Sequence, residues 1–278
     1  MWTVDNRHRY DRGKLRYPSD LTDEEWHVLK PLIPKAKRGG NKRHVDEREV
    51  VNGLMYILST GCQWRAIPMD LPPRSTLYRY FDDWSYDGTL GRIHHALYLE
   101  CREDAGRASS PTAAIIDSQS VKSAEKGGVH DGHGYDAGKK IKGKKRHILV
   151  DTQGLLMHAL VHHAGIQDRD GGIWVMATLF GLYPFLLKLY ADGGYSGTVF
   201  RRGVKKAMAK LNIEIVKRSD RAKGFIVLPK RWIVERSIAW LNRNRRLAKD
   251  WECKNQKARA FLLWASIRLM LRKLCNPC

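Results

Sequence analysis

The first part of the chain has apolar residues at helical spacing. Residues 21–33 open with Thr22 and carry Glu25 three positions further on, which is the pattern of a capping box at a helix N-terminus. In residues 45–61 the apolar positions fall on one helical face, and Gly61 is placed to end that helix. The pattern therefore predicts a helical N-terminal region.

A further predicted helix follows the Pro-Pro pair at 72–73, with Ser75 as its N-cap. A short helix after a tight loop is typical of the helix-turn-helix motifs that bind DNA. Its polar side chains would then meet phosphates or base edges, and the candidates are Arg74, Ser75, Thr76 and Arg79. The same pattern fits one more packing helix in a small bundle, and both interpretations stay open.

Small and polar residues over 102–112, ending in Pro111, indicate a boundary between two domains, 1–110 and 111–278. Beyond this boundary the period of the apolar pattern alternates between that of strands and that of helices. The predicted strands are 112–121, a hairpin over 146–163, 185–192 and 213–218, and the predicted helices are 168–184, 198–212, 229–252 and 256–274. This order predicts an α/β fold with a mixed sheet flanked by helices.

The net charge of the chain is +21, and it is unevenly distributed. Residues 111–278 carry 32 Lys and Arg against 13 Asp and Glu, whereas residues 1–110 are almost neutral. A basic surface of that size favours nucleic acid as a partner, because phosphates neutralised by a protein release their counterions. A structural nucleic-acid-binding protein would have the same charge, so charge alone does not indicate an enzyme.

The sequence also indicates the cellular compartment in which the protein works. No apolar run approaches the roughly 20 residues of a membrane helix, and the N-terminus has no apolar stretch typical of a signal peptide. Five scattered cysteines fit a reducing compartment better than a disulfide framework. We therefore predict a cytoplasmic, nucleoid-associated protein without a membrane partner. A lone C-x2-C pair, Cys275 and Cys278, leaves a zinc or redox role as a minor alternative.

Three acidic residues stand out in the basic part of the chain. Asp117 and Asp192 each follow an apolar run, so both would lie at the carboxyl ends of strands, where ligands gather in such sheets. Glu235 lies beside an apolar stripe of the predicted helix 229–252. Carboxylates hold Mg²⁺, and two ions about 4 Å apart can activate a nucleophile and stabilise a leaving oxygen. Each acid alone also fits a structural role, such as a turn or an ion pair with Arg231.

Six motifs occur in order along the chain. They are LTDEEWHVLKPLIP, REVVNGLMYILSTGCQWRAIPMDLPPRSTLYRYFDDW, IIDSQSVKSA, KGKKRHILVDTQGLLMHALVHHAGIQDRDG, LYADGGYSG and WIVERSIAWLNRNRRLAKDWE. Together they resemble the transposases of the insertion-sequence four/five superfamily of bacteria, from about residue 15 to residue 270. The resemblance implies an RNase H-like fold with Asp117, Asp192 and Glu235 as a DDE triad. It also implies two Mg²⁺ ions per active site, which Mn²⁺ would replace.

The resemblance implies that the protein is a DNA transposase. Such an enzyme frees a 3′-hydroxyl by cleaving DNA at terminal inverted repeats, and that hydroxyl then attacks target DNA. The partner would be double-stranded DNA, and work on two ends at once implies a homodimer. Besides the N-terminal candidates, the expected DNA contacts are Lys139, Lys140, Lys142, Lys144, Lys145, Arg146, Arg231, Arg236 and Arg243. A nuclease that cuts without joining and a non-catalytic DNA-binding regulator are the alternatives.

The family signature around the glutamate is Tyr-x2-Arg-x3-Glu-x6-Lys/Arg, and this chain matches it in part. Arg231 and Glu235 occupy the arginine and glutamate positions. Leu228 stands at the tyrosine position and Asn242 at the final basic position, with Arg243 one residue further on. These departures leave the triad intact.

Overall fold

The computed structural model describes residues 11–35, 44–124, 131–179, 181–216 and 230–276. In these ranges the helices are α1 (Asp23–Leu29), α2 (Glu47–Thr60), α3 (Arg74–Tyr86), α4 (Thr89–Asp104), α5 (Asp168–Ala177), α6 (Thr198–Ala207), α7 (Arg231–Asn242) and α8 (Asn255–Cys275). The strands are β1 (Ala113–Lys122), β2 (Gly134–Asp136), β3 (Ile141–Asp151), β4 (Leu156–His163), β5 (Lys188–Ala191) and β6 (Asn212–Ile215). Helices thus come first and strands follow, as the sequence predicts.

The ends of the first two helices confirm the cap predictions. The Thr22 hydroxyl accepts a hydrogen bond from the Glu25 backbone N–H, and the Glu25 carboxylate accepts one from the Thr22 N–H. α2 ends at Gly61, whose φ of 68° favours glycine. The cap predicted for α3 is wrong. That helix begins at Arg74 after Pro73, so Ser75 lies inside the first turn and makes no cap hydrogen bond.

The strands form one mixed sheet in the order β2-β3-β1-β5-β6, and β4 also pairs with β3. β1 and β3 are antiparallel, as are β3 and β4, whereas β1, β5 and β6 are parallel to one another. The predicted α/β class with a mixed sheet is confirmed. The short strand β2 was not predicted.

Several element boundaries differ from the predictions. β1 continues to Lys122, so Asp117 lies in the middle of the strand and not at its end. β3 begins at Ile141, inside the lysine-rich segment. α7 ends at Asn242 because the Asn244 side chain and backbone N–H both bond to the Leu241 carbonyl, and a 3₁₀ turn follows. α5 and α6 are also shorter than predicted. Residues 217–218 and 229 of two predicted elements, Leu228 and Cys278 lie outside the described residues.

The last helix joins the N-terminal helices to the sheet. α8 packs against α1, α2, α3 and α4 on one side and against β4 on another. Its Phe261 ring stacks on Phe81 of α3 with 4.5 Å between the ring centroids, and Ser266 lies 3.0 Å from the His94 ring nitrogen on α4. The buried apolar residues therefore form one continuous core. The boundary near residue 110 stays a prediction.

A buried ion pair also joins the two parts. Arg102 of α4 pairs with Asp151 at the end of β3, and both side chains are almost completely buried. The second Asp151 oxygen accepts the backbone N–H groups of Gln153 and Leu155, which fixes the predicted hairpin turn. No helix among the described residues is long and apolar enough to cross a membrane.

Candidate active site

The sheet register brings Asp117 and Asp192 to the same level. β1 and β5 are parallel neighbours, and Ile115 pairs with Tyr190. Asp117 lies two residues after Ile115, inside β1, and Asp192 lies two residues after Tyr190, directly after the end of β5. Both carboxylates line one small crevice of the molecule, together with Arg231. The prediction that the two acids meet at one place in the sheet is therefore correct, although only Asp192 follows a strand end.

The backbone after Asp192 leaves the carboxylate accessible. One Asp192 oxygen accepts the Gly194 N–H at 2.9 Å and starts a 3₁₀ turn over Gly193–Tyr195. A Cβ atom on Gly193 would meet nothing within 4 Å. On Gly194 it would crowd the carboxylates of Asp192 and Asp168. The two glycines thus keep side chains away from this edge of the site.

Glu235 approaches the site from α7, and Arg231 connects it to Asp192. The Arg231 guanidinium lies 3.2 Å from the Glu235 carboxylate, one turn away, and 3.8 Å from the Asp192 carboxylate. The Glu235 side chain is 54% exposed, so it can change rotamer without disturbing the core. Arg231 therefore faces both the Asp192 carboxylate of the crevice and the Glu235 carboxylate on α7.

The electrostatics of Asp117 reflect a crowded acidic site. Burial, with a smaller contribution from the charge of Asp192, raises the pKa of Asp117 to about 6, although the Ser118 backbone N–H, Lys139 and Arg231 oppose the shift. A cation between the two aspartates would remove this repulsion. The electrostatics of the site therefore favour the binding of a cation.

The donor chemistry fits a divalent cation. Asp117 and Asp192 offer carboxylate oxygens at the same level of adjacent strands, which is the ligand type that Mg²⁺ prefers. Among the described residues, no three His, Cys, Asp or Glu side chains lie close enough together to surround one ion. Glu235 is held by Arg231 instead. Two aspartates thus form the centre of the site, and the glutamate stands beside it.

Further polar contacts lie around the two aspartates, and they include Asp168 and Tyr195, which the sequence analysis did not single out. Asp168 opens α5 and pairs with the buried Lys145 at 2.8 Å. Lys139 donates to the carbonyl of Ser118, the residue after Asp117, at 3.0 Å. The Tyr195 hydroxyl lies 2.9 Å from the His147 ring. The only local signal for Asp168 is its place at the start of a helix in the GIQDRDG motif.

The predicted DNA contacts of the lysine-rich segment divide into two groups. Lys139, Lys140 and Lys142 are exposed near the site. Lys144, Lys145 and Arg146 are buried in β3, so the prediction that they bind DNA is wrong for this structure.

Each of the three buried cations has partners inside the protein. Lys144 donates to the Glu252 carbonyl and pairs with Asp250, and Lys145 pairs with Asp136 and Asp168. Arg146 donates to the carbonyls of Leu247 and Lys249. Lys144 and Arg146 therefore hold the segment after α7 against the sheet, whereas Lys145 holds the start of α5 and the end of β2.

The remaining candidates lie on α7 and α3. Arg236 lies between the rings of Trp232 and Trp240 and donates to the Gln153 carbonyl, whereas Arg243 is exposed. On α3 the side chains of Arg74, Ser75 and Arg79 are exposed, and Thr76 is half-buried. The opposite face of α3 packs into the core. The DNA-binding role of both groups stays a prediction.

The mixed sheet flanked by helices has the architecture of an RNase H-like domain. The comparisons with known families agree. Residues 108–270 match the family described as "Transposase DDE domain". Residues 21–94 match the family described as "Putative transposase of IS4/5 family (DUF4096)". The chain belongs to the DDE transposases of the IS4/5 family.

The similarity of the chain to one curated protein agrees with this family. The "Insertion element IS402 uncharacterized 16.2 kDa protein" of Burkholderia cepacia is 28% identical over 113 residues, which are 38% of this chain and 76% of that protein. The chain is therefore a DNA transposase, and its family depends on divalent metal ions to cleave and join DNA.

Proposed function

We propose that Asp117, Asp192 and Glu235 are the catalytic residues and hold two Mg²⁺ ions, which Mn²⁺ can replace. The observation that carries this proposal is the equal level of Asp117 and Asp192 on adjacent parallel strands, with Glu235 linked to Asp192 through Arg231. If bound there, the ions would supply the positive charge that activates an attacking hydroxyl and stabilises a leaving oxygen.

The residues of the chain have distinct tasks in this proposal. Asp117 and Asp192 are held by the sheet and provide fixed ligands, whereas the exposed Glu235 turns from Arg231 to complete the site. Arg231 and Lys139 are placed beside the aspartates, where a DNA phosphate needs positive charge. In-line placement of the phosphate and charge neutralisation supply most of the rate acceleration.

The substrate of the proposed reaction is DNA with terminal inverted repeats. Cleavage frees a 3′-hydroxyl at each end, and this hydroxyl attacks a target duplex. The repeats would contact the exposed Arg74, Ser75 and Arg79 and the half-buried Thr76. The DNA backbone near the site would contact Lys140, Lys142, Arg236 and Arg243. Because two ends react together, the active form is a homodimer on DNA, in the cytoplasm at the nucleoid.

The test uses DNA that carries the element ends, Mg²⁺ and a target plasmid. We expect the wild-type protein to produce both cut ends and joined product. Asp192→Asn should lose both by about 10²-fold or more while it still binds the ends. Asp170→Asn, which changes a half-exposed aspartate of α5, is the matched control and should react normally.

Three outcomes would contradict the proposal in different ways. Cut ends without joined product would indicate a nuclease. Binding without any cutting by the wild-type protein would indicate a regulator. Normal cutting by Asp192→Asn would show that the site is assigned wrongly.

A further inference from the structure

The exposed face of α6 carries a dense group of cations that the proposed active site does not use. α6 and the turn after it contain Arg201, Arg202, Lys205, Lys206 and Lys210, and all five side chains are exposed. No acidic residue occurs between positions 198 and 210. We call these five residues the α6 ridge.

The ridge has no compensation inside the described part of the chain. None of its five side chains has an ion-pair partner there, and the nearest acid of the following strand, Glu214, is paired with Lys188 at 2.6 Å. Like charges one turn apart destabilise a helix by a few tenths of a kcal/mol per pair. A partner with a high density of negative charge would reverse this repulsion.

The packing of α6 fixes the direction in which the ridge points. Phe200 and Val204 are buried, and Gly203 approaches Ile173 of α5 so closely that a Cβ atom would collide with it. The helix therefore cannot rotate its cations inward. Beside the ridge lies an open groove of about 460 Å³, whose far wall is the start of β6 at Asn212.

The ridge leads away from the proposed active site. α6 begins six residues after Asp192 and connects β5 to its parallel neighbour β6, so it runs from the site's edge of the sheet to the opposite edge. Its ten residues span about 15 Å. At 3.4 Å per base pair this length covers about four base pairs of duplex.

The chemistry of the ridge favours one kind of DNA. Lysine and arginine contacts to phosphates position a duplex without reading its sequence. In the reaction proposed above the element ends are defined by the sequence of their repeats, whereas a row of phosphate contacts can hold a duplex of any sequence. We infer that the α6 ridge binds the phosphate backbone of the target duplex and guides it to Asp117 and Asp192. This inference rests on the strand-transfer function proposed above for that site.

The first experiment measures binding to a duplex of random sequence between about 50 and 200 mM salt. The ridge variant is Arg201→Gln, Arg202→Gln, Lys205→Gln and Lys210→Gln, in which glutamine keeps the helix propensity. We expect the slope of log K against log salt to fall by about 3 to 4. The control variant has the same net charge, through Lys14→Gln, Lys30→Gln, Lys35→Gln and Arg107→Gln, and should keep the wild-type slope. Circular dichroism checks that both variants fold.

The second experiment measures the ratio of joined product to cut ends in the complete reaction. We expect the ridge variant to lower this ratio at least ten-fold relative to the control variant. An unchanged ratio, or an equal loss of slope in the control, would overturn the inference. Equal loss of cut ends and joined product would assign the ridge to end DNA instead.

The two proposals fail in distinguishable ways. If the wild-type protein makes no cut ends, the proposed function fails, and the random-duplex slope still tests whether the ridge binds DNA. A ridge variant that keeps the full slope would overturn the inference even if cutting and joining are observed. The ridge would then serve a different polyanion.

Discussion

The Arg231 guanidinium lies 3.2 Å from the Glu235 carboxylate and also faces Asp192 at 3.8 Å. One side chain thus links the helix that carries the glutamate to the strand end that carries the aspartate. Two of the three proposed catalytic acids therefore share one positive charge. Their relative position depends on a residue that is not itself one of the triad.

Replacing Arg231 should slow DNA cleavage without unfolding the protein. Arg231→Gln removes the shared charge and frees the Glu235 side chain, so we expect a loss of about 10- to 100-fold in the cleavage rate. Arg231→Lys should recover part of the rate, because it keeps the charge but not the planar fork that reaches two carboxylates. Single-turnover cleavage measures the effect, with Arg107→Gln as an exposed control. A wild-type rate for Arg231→Gln would refute the positioning role.

Two lysines of the lysine-rich segment, Lys144 and Lys142, should behave differently when changed to methionine. Lys144 is fully buried between Asp250 and the Glu252 carbonyl, so Lys144→Met leaves a buried carboxylate without its cation. We expect a loss of about 3–5 kcal/mol in the free energy of unfolding. Lys142→Met, at an exposed position, should change stability by less than about 0.5 kcal/mol and weaken DNA binding.

Urea denaturation and DNA titration of the two lysine variants check this difference. Equal stability of both variants would mean that Lys144 is not a structural residue. Unchanged DNA affinity of Lys142→Met would remove that lysine from the proposed contacts.

Gly171 of α5 packs against the rings of two histidines, which leave no space for a side chain at this position. A Cβ atom at this position would lie under 3.0 Å from the ring nitrogens of both His147 and His162. The His147 ring is held by the Tyr195 hydroxyl and cannot easily withdraw. We expect Gly171→Ala to lower stability by about 1–3 kcal/mol, as overpacking of a core does.

The control for Gly171 is a helical glycine with free space. Gly91→Ala on α4 would meet nothing within 4 Å, so it should raise stability by about 0.5–1 kcal/mol. Thermal unfolding of the two variants should therefore shift in opposite directions. A stabilising effect of Gly171→Ala would contradict the packing described for α5.

His94 should make the protein less stable as the pH falls. Burial, with a smaller contribution from the charge of Arg259, lowers the pKa of His94 to about 3, whereas an unfolded histidine has a pKa near 6.5. Below pH 6.5 the unfolded chain binds a proton at this position and the folded chain does not. The contribution to stability is therefore complete above pH 6.5 and is lost between pH 6.5 and about 3.

The comparison with His94→Gln isolates this contribution. The difference in unfolding free energy between wild type and variant should change by about 1.4 kcal/mol per pH unit below pH 6.5. Urea denaturation at several pH values measures it. A difference that does not vary with pH would mean that His94 is protonated in the folded protein.

The sequence predicts the proximity of the two aspartates better than it predicts the surroundings of the lysine-rich segment, and the reason is the range of the interactions involved. Asp117 and Asp192 follow apolar runs of neighbouring parallel strands, and this local pattern places them together. Lys144 and Arg146 are buried by carbonyls about 100 residues away, at Glu252 and Leu247. A run of lysines in the sequence contains no local sign that distant carbonyls will bury it, so it is easily interpreted as a solvated loop.

The end of α7 shows the same limit on a shorter scale. The apolar spacing of residues 229–252 continues past Asn242, so periodicity alone predicts a longer helix. The Asn244 side chain competes for the Leu241 carbonyl and stops the helix, as asparagine does near helix ends. The 3₁₀ turn that follows then carries Arg246, whose guanidinium pairs with Glu252 and contacts Phe261. Only the tertiary structure reveals that the Arg246 side chain is buried.

The position of α8 has a consequence for how the chain folds. This helix, the last of the described elements, completes the packing of the first helices and of the sheet at the same time. Neither part can exclude water from its apolar residues before α8 has docked. The chain must therefore be synthesised through α8 before either part is fully packed, and both should unfold in a single transition. A chain that stops before Asn255 would leave both the N-terminal helices and the sheet without this packing partner.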